Sequence, residues 1–200
     1  MATTSRDMLR FVSTAARRPT TVGAIAPSSA GLCARLAAVL PRGGQPTVVE
    51  LGPGTGATSA AIEQQLPAGG RHLGVECDPG LAAYLRRSQH RMEVVQGDAA
   101  ELGQLLAEQG VDKVDVIISG LPWALFPLEQ QNQILTQITE VLRPDGVFTS
   151  FAYLHALPTA RAKQFRASLQ ARFEEVLITS PVWRNAPPAL TYVCRRPITD

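Results

Sequence analysis

Charge of one sign is scarce in this 200-residue chain, where 19 basic residues stand against 17 acidic ones for a net charge of +2. So small a surplus argues against a dedicated nucleic-acid binder, although a local basic patch stays open. Cysteine is scarce as well. Cys33, Cys77 and Cys194 are odd in number, far apart and in no metal-ligand spacing. Neither a disulfide framework nor a metal centre is therefore expected, and three free thiols suit a cytoplasmic protein. No apolar run approaches the ~20 residues that span a bilayer. The longest, Val116 to Phe126, is broken by Gly120 and Pro122. The N-terminus carries Arg6, Arg10, Arg17 and Arg18 but lacks the apolar centre of a secretory signal. Lysine is nearly missing, since 17 of the 19 basic residues are Arg, which reads as coding bias before function.

What is present is a core. Hydrophobic residues make up 45% and charged residues 18%, enough apolar material for one domain of ordinary size and too much for a disordered tail. Strand and helix patterns alternate. Thr47 to Leu51 is a short β-branched run that suits a buried parallel strand. A Gly-rich turn follows, then a helix expected over 57–66 that stops at Pro67 and Gly69-Gly70. Further strands are expected over 72–75, 92–96, 114–118 and 147–153, with helices over 81–87, 102–108, 128–142 and 159–171. On the helix over 128–142, Leu128, Leu135, Ile138 and Leu142 share a face with one polar intruder, Gln131. Arg143 to Gly146 reads as a turn. Strands over 175–179 and 190–194 come with no helix between them, which suggests an antiparallel pair at one sheet edge.

The alternation implies an α/β fold, a parallel sheet with helices on both faces. Residues 1–46 precede the pattern as a helical segment, and residues 47–200 form the main domain of one compact unit. Within the first segment a helix is expected over 5–16. A second is capped by Ser28 or Ser29 and runs to Leu40.

The most informative stretch is Val48-Val49-Glu50-Leu51-Gly52-Pro53-Gly54-Thr55-Gly56. A strand runs through three glycines into a helix, and the crevice at the carboxyl end of such a strand is the usual ligand site. Gly52, Gly54 and Ala57 satisfy the dinucleotide pattern G-x-G-x-x-G/A, and Glu76 stands 20 residues beyond Gly56, where a ribose-binding acid belongs. On the loop alone, NAD and S-adenosylmethionine (SAM) read about equally well. Three further features favour SAM. Glu50 would repel a pyrophosphate but suits the cationic amino end of a methionine. Asp98 closes the third strand, where a carboxylate can accept from an adenine amino group. Ser119-Gly120-Leu121-Pro122-Trp123 ends the fourth strand in a rigid loop at the same crevice.

Together these segments resemble the ordered motifs of the class I SAM-dependent methyltransferases, over roughly residues 47–195. The resemblance implies a Rossmann-like, seven-stranded, mostly parallel sheet with helices on both faces and the last strand antiparallel. It implies SAM as cofactor, with S-adenosylhomocysteine as product. Glu50 and the loop of Gly52, Pro53, Gly54, Thr55 and Gly56 fall at the methionine end, Glu76 with Cys77 at the ribose, Asp98 with Ala99 at the adenine, and Ser119 beside them. No metal is implied.

Three short segments further resemble the bacterial phospholipid N-methyltransferases, which are themselves similar to the rRNA adenine dimethylases. They are Gly23 to Ser29, Ser119 to Trp123, and Arg184 to Ala189. Two departures argue against RNA. Gly120 stands where the dimethylases carry an Asn, and little chain follows the last expected strand. The implied reaction is transfer of methyl groups to an amine, with phosphatidylethanolamine as the leading acceptor. Alternatives are a small natural-product amine, an NAD-binding oxidoreductase, an RNA adenine methyltransferase, and a non-catalytic RNA- or nucleotide-binding module.

The chemistry asks for a neutral amine held in line with the sulfonium, in a site that excludes water. Ser119, Gly120, Leu121, Pro122 and Trp123 are the candidates to shape that site, with Tyr153 at the end of the fifth strand. Ser119 can bond the amine, and the carbonyls from Ser119 to Leu121 can orient its lone pair. Gly120 leaves room, so a side chain there is expected to block the acceptor and spare SAM. Trp123 offers a ring face to a methylated nitrogen or else packs in the core. Tyr153 bonds a head group or ends in solvent. His155 is a candidate base but reads more readily as a surface residue. The Arg and apolar residues before position 18 suit a lid over the site, a peripheral contact at the inner membrane surface, or both.

Overall fold

Val48 and Val49 are consecutive and fully buried, yet they belong to different cores. The pleat of a strand sends neighbours to opposite faces, so burial of both requires helices on each side of the sheet. The structure, a computed structural model, describes residues 28–198. The helix expected over 5–16 and the segment from Gly23 to Pro27 lie outside the described residues. In chain order the elements are α1 (Ala30–Ala37), β1 (Thr47–Leu51), α2 (Ala57–Gln65), β2 (Arg71–Glu76), α3 (Pro79–Ser88), β3 (Glu93–Gln96) and α4 (Leu102–Glu108). They continue with β4 (Val114–Ser119), α5 (Leu128–Val141), β5 (Leu142–Tyr153), α6 (Ala160–Gln170), β6 (Phe173–Ile178) and β7 (Ala189–Pro197).

The sheet order is β3-β2-β1-β4-β5-β7-β6. Strands β1 to β5 are parallel, and β7 runs antiparallel to both β5 and β6. The last strand is therefore the reversed one, and it lies inside the sheet with β6 at the edge. One core joins Val49, Leu51, Leu73 and Phe148 to Leu105 and Leu106 of α4, Ile134 and Ile138 of α5, and Phe165 and Leu169 of α6. The other joins Val48, Val116 and Ile118 to Leu32 and Leu36 of α1 and Ile62 of α2. Ser29 caps α1, its hydroxyl accepting from the Leu32 N–H at 3.3 Å.

One expected element differs. Arg143 to Gly146 lies within β5, as a bulge. Val114 pairs with Leu142 and Val116 with Val147, so two steps along β4 face five along β5. Arg143 stays outside, where its Nε lies 3.2 Å from Asp115 Oδ1. The turn-forming residues are absorbed because strand pairing resumes on both sides of them.

Strand order reverses between β1 and β4. The carboxyl ends of these two strands, with β2 and β5 outside them, frame the crevice expected in such sheets.

Candidate active site

Beyond β1 the chain turns through Gly52 and Gly54 at φ +68° and +60°, a region L side chains rarely adopt. A Cβ on Gly54 would meet nothing within 4 Å, so this glycine leaves space at the carboxyl edge that a ligand can enter. A Cβ on Gly52 would stand 2.9 Å from Cδ2 of Leu121. Pro53 is buried, Thr55 is exposed, and Gly56 is the N-cap of α2.

Glu76 ends β2 beside this loop and is 4% exposed. Its Oε2 accepts from Gly54 N–H at 3.1 Å and its Oε1 from Asp78 N–H at 2.9 Å. The carboxylate thus braces the glycine loop from the end of β2. Cys77 is half-buried next to it, with its thiol pushed up to about 12, first by burial and then by the Glu76 charge. Asp98 is partly exposed and turns its Oδ1 to Ala100 N–H at 3.0 Å, while Ala99 is buried beneath it.

Glu50 occupies a different place from the open one its position suggested. It shares the face of Val48, under α2, and is 1% exposed. Its Oε2 accepts from the Ser59 hydroxyl at 2.6 Å and lies 3.3 Å from Nε2 of His72, both also buried. Parallel pairing of β1 with β2 brings His72 opposite Val48 and so onto the same face. A buried carboxylate needs such partners, because desolvation is costly without them. The Glu50 cluster ties β1, β2 and α2 together under the loop. His72 and Ser59 were not picked out from the sequence, because nothing local links positions 50, 59 and 72.

The loop after β4 meets the glycine loop directly. Ser119 pairs with Leu51, and Gly120 N–H donates to Leu51 O at 2.8 Å. A Cβ on Gly120 would stand 2.8 Å from Gly52 O. The expectation that a side chain there spares SAM is therefore corrected, since the added group pushes on the glycine loop itself. Ser119 is fully buried, and its Oγ accepts from Leu121 N–H at 3.3 Å and from the Trp123 indole N–H at 3.1 Å. With both acceptor positions used, the hydroxyl is left as a donor. The expected bond from Ser119 to the amine could then only be donated, to the nitrogen lone pair that must attack the methyl.

Trp123 is a core residue, 2% exposed, stacked on Phe165 with ring centroids 4.5 Å apart and edge-on to Phe126 and Phe148. Its ring is enclosed and offers no face to a substrate nitrogen. What it gives the site is its N–H to Ser119. Gln131, the polar intruder on α5, donates from Nε2 to Trp123 O at 2.8 Å and to Phe126 O at 3.2 Å, clamping the loop. A polar residue on an apolar helix face was the signal for that role.

Tyr153 ends β5 with its hydroxyl buried and without a hydrogen-bond partner among the described residues. Its ring stacks on exposed His155 and meets Phe151 edge-on. Burial pushes its pKa up, so the phenol stays a donor. Two of the three segments singled out for the acceptor side meet beside it. Asn185 Oδ1 accepts from Ser29 N–H at 2.8 Å, and Pro188 O accepts from Leu154 N–H at 2.9 Å.

With this geometry established, the comparisons agree in one direction. A family model for a methyltransferase domain matches residues 48–146. The chain is 31% identical over 194 residues to the ornithine lipid N-methyltransferase of Singulisphaera acidiphila, covering 95% of this chain and 96% of that protein. An O-methyltransferase from Bacillus cereus, solved with S-adenosylhomocysteine, matches with a TM-score of 0.64 at 16% identity, covering 98% of this chain and 93% of that one. The O-methyltransferase TomG of Streptomyces achromogenes, solved with SAM, matches with a TM-score of 0.61 at 18% identity, covering 94% and 90%. At such identities the two solved structures speak for the fold.

Proposed function

The chain belongs to the SAM-dependent methyltransferases, and from that premise we propose that it methylates the amine of a lipid head group. The observation that carries the reading is the match along nearly the whole chain to a lipid N-methyltransferase. Phosphatidylethanolamine is the acceptor favoured by the sequence segments. The amine of an ornithine lipid is the acceptor favoured by the relative's name.

The residues present fit SAM. Gly54 faces open space, Glu76 stands beside it with a carboxylate suited to ribose hydroxyls, and partly exposed Asp98 lies at the adenine end. When bound, SAM supplies a methyl already activated on a sulfonium, so the protein's own work is positioning. The amine must arrive neutral, with its lone pair toward the methyl and its hydrogens on acceptors. The Leu121 carbonyl already accepts from Trp123 N–H and the Pro122 carbonyl from Leu125 N–H. Gly120, the partly exposed residue between buried Ser119 and Leu121, is the position we assign to hold the amine, through its carbonyl. The Tyr153 hydroxyl donates to an oxygen of the head group. In this reading the Arg-rich stretch before position 18 serves contact with the inner surface of the membrane. Among the described residues no helix is long and apolar enough to cross a membrane.

The test is transfer of tritiated methyl from SAM into a bacterial lipid extract and, in parallel, into a library of soluble amines. Label should appear in methylated phosphatidylethanolamine or ornithine lipid after chromatography. Label found only in soluble amines would overturn the lipid reading.

A further inference from the structure

The crevice edge of the sheet is divided by charge. Its β1–β3 half carries Glu76, Asp78, Asp98 and Glu101. Its other half is built by three segments, 120–128 after β4, 154–163 after β5 and 179–188 between β6 and β7. The last belongs to the same edge because β7 is antiparallel to both β5 and β6. These three segments contain no Asp or Glu at all. Glu129 follows the first of them, within the opening turn of α5, where the helix dipole favours an acid. Glu174 and Glu175 lie at the opposite end of β6, in ion pairs with Arg195 and Arg196.

The same acid-free segments present exposed Arg161, Lys163 and Arg184. The same segments and their ends also expose three large apolar side chains, Trp183 at 71%, Leu128 at 42% and Leu125 at 40% exposure. The Trp183 loop is held firmly. Val182 N–H donates to Ala189 O at 2.7 Å, Asn185 N–H to Val182 O at 3.2 Å, and Arg35 from α1 to Ser180 O at 3.2 Å. An indole on a braced loop, beside an arginine and free of acids, suits the boundary between head groups and acyl chains.

We infer that this acid-free half of the edge is a docking face for an anionic lipid bilayer, with Trp183 inserted at head-group level. Arg161, Lys163 and Arg184 lie over the phosphates. The inference rests on the lipid-amine reading and gives it a route. A lipid acceptor stays in its bilayer, so its amine must enter from the membrane surface. The loop that carries Trp183 ends at Ala189, the register partner of Tyr153, which puts the anchor beside the mouth of the site.

The chain has two tryptophans, and Trp123 is enclosed, so the solvent-sensitive emission belongs to Trp183. The full chain is mixed with vesicles of phosphatidylcholine alone or with added phosphatidylglycerol. On the anionic vesicles, emission should shift to the blue and acrylamide quenching should fall. Arg184→Gln should bind these vesicles about fivefold more weakly. Trp183→Ala should bind about tenfold more weakly, the loss of one partly inserted indole. Both side chains are exposed, so thermal melting of the variants should match the parent. Vesicle binding with Trp183 emission unchanged, or equal binding by both variants, would overturn the docking face. Methyl transfer to a short-chain aminolipid dispersed as monomers separates the two claims. If the Trp183 response is present but no aminolipid is methylated, the docking face stands and the acceptor reading fails. If the monomeric aminolipid is methylated but Trp183 ignores vesicles, the acceptor reading stands and the docking face fails.

Discussion

The Cβ position of Gly120 lies 2.8 Å from the carbonyl oxygen of Gly52, so at this point the loop after β4 meets the glycine loop through its backbone. Backbone cannot swing aside as the end of a flexible side chain can. Gly120→Val should therefore weaken S-adenosylhomocysteine binding as well as methyl transfer, by about 1–3 kcal/mol, the usual cost of overpacking. Calorimetry and initial rates on one preparation decide the matter. Unchanged binding with transfer lost would return Gly120 to a role on the acceptor side alone.

Glu76 ties the same loop from the other side, through Gly54 N–H. Glu76→Ala removes an acceptor for two backbone donors and, in the proposed complex, a partner for the ribose hydroxyls. SAM affinity should fall by about 1–3 kcal/mol. A folded variant with an unchanged dissociation constant would refute the ribose role.

The glycine loop and the alternation of strand and helix were legible because both are local: a turn residue needs its own backbone angles, and amphipathic spacing repeats within one element. Sites that depend on register were not legible. Glu50 looked open to a ligand because its partners Ser59 and His72 come from α2 and β2 and meet it only once β1 and β2 pair. Trp123 left two readings open until Phe165, on α6, covered it. Ser29 and Asn185 belong to segments marked for one function, yet their bond joins residues 156 apart in sequence. Composition hid the division of the crevice edge, because a near-neutral total averages an acidic half with a half that has no acids.

Trp123 tests whether the indole N–H matters to the site. Trp123→Ala should cost about 3–5 kcal/mol of stability, as deletion of a large core aromatic does. It is therefore a poor probe of mechanism. Trp123→Phe keeps an aromatic ring beside Phe165 and removes the donor to Ser119, at the lesser cost of the small cavity left by the rest of the indole. Its SAM affinity should stay near the parent's, while kcat drops as Ser119 loses its orientation. Equal kcat would mean that the Trp123–Ser119 bond serves the fold alone.

The Cys77 thiol, raised from its usual 9.0 to about 12 by burial and by Glu76, should be slow toward iodoacetamide at pH 9. Its rate should climb only as pH approaches 12. In the unfolded chain the thiol ionises near 9.0, so between 9.0 and about 12 the unfolded state gives up a proton that the folded state keeps. The fold accordingly loses stability as pH rises through that window. Peptide mapping after alkylation reads this directly, and urea should release the reactivity. S-adenosylhomocysteine should slow the native reaction further if Cys77 borders the ribose. Fast native alkylation at pH 8 would contradict the buried, neutral thiol.

Tyr153 separates substrate contact from stability most cleanly, because its hydroxyl is buried with no partner among the described residues. A polar group in that condition costs the fold about 1–3 kcal/mol. Tyr153→Phe should therefore leave the protein as stable as the parent or more so, measured by urea unfolding. If the phenol donates to a head-group oxygen, the same substitution should lower methyl transfer about 2- to 10-fold, the worth of one neutral hydrogen bond. Burial raises the phenol's pKa, so the donor persists through the alkaline range in which an exposed tyrosine would begin to ionise. The transfer rate should thus show no tyrosine-linked loss below pH 10. Stability gained with the rate unchanged would mean that the head group is held elsewhere. Stability lost would mean that the hydroxyl has a partner in the folded chain and that its place in the acceptor site is wrong.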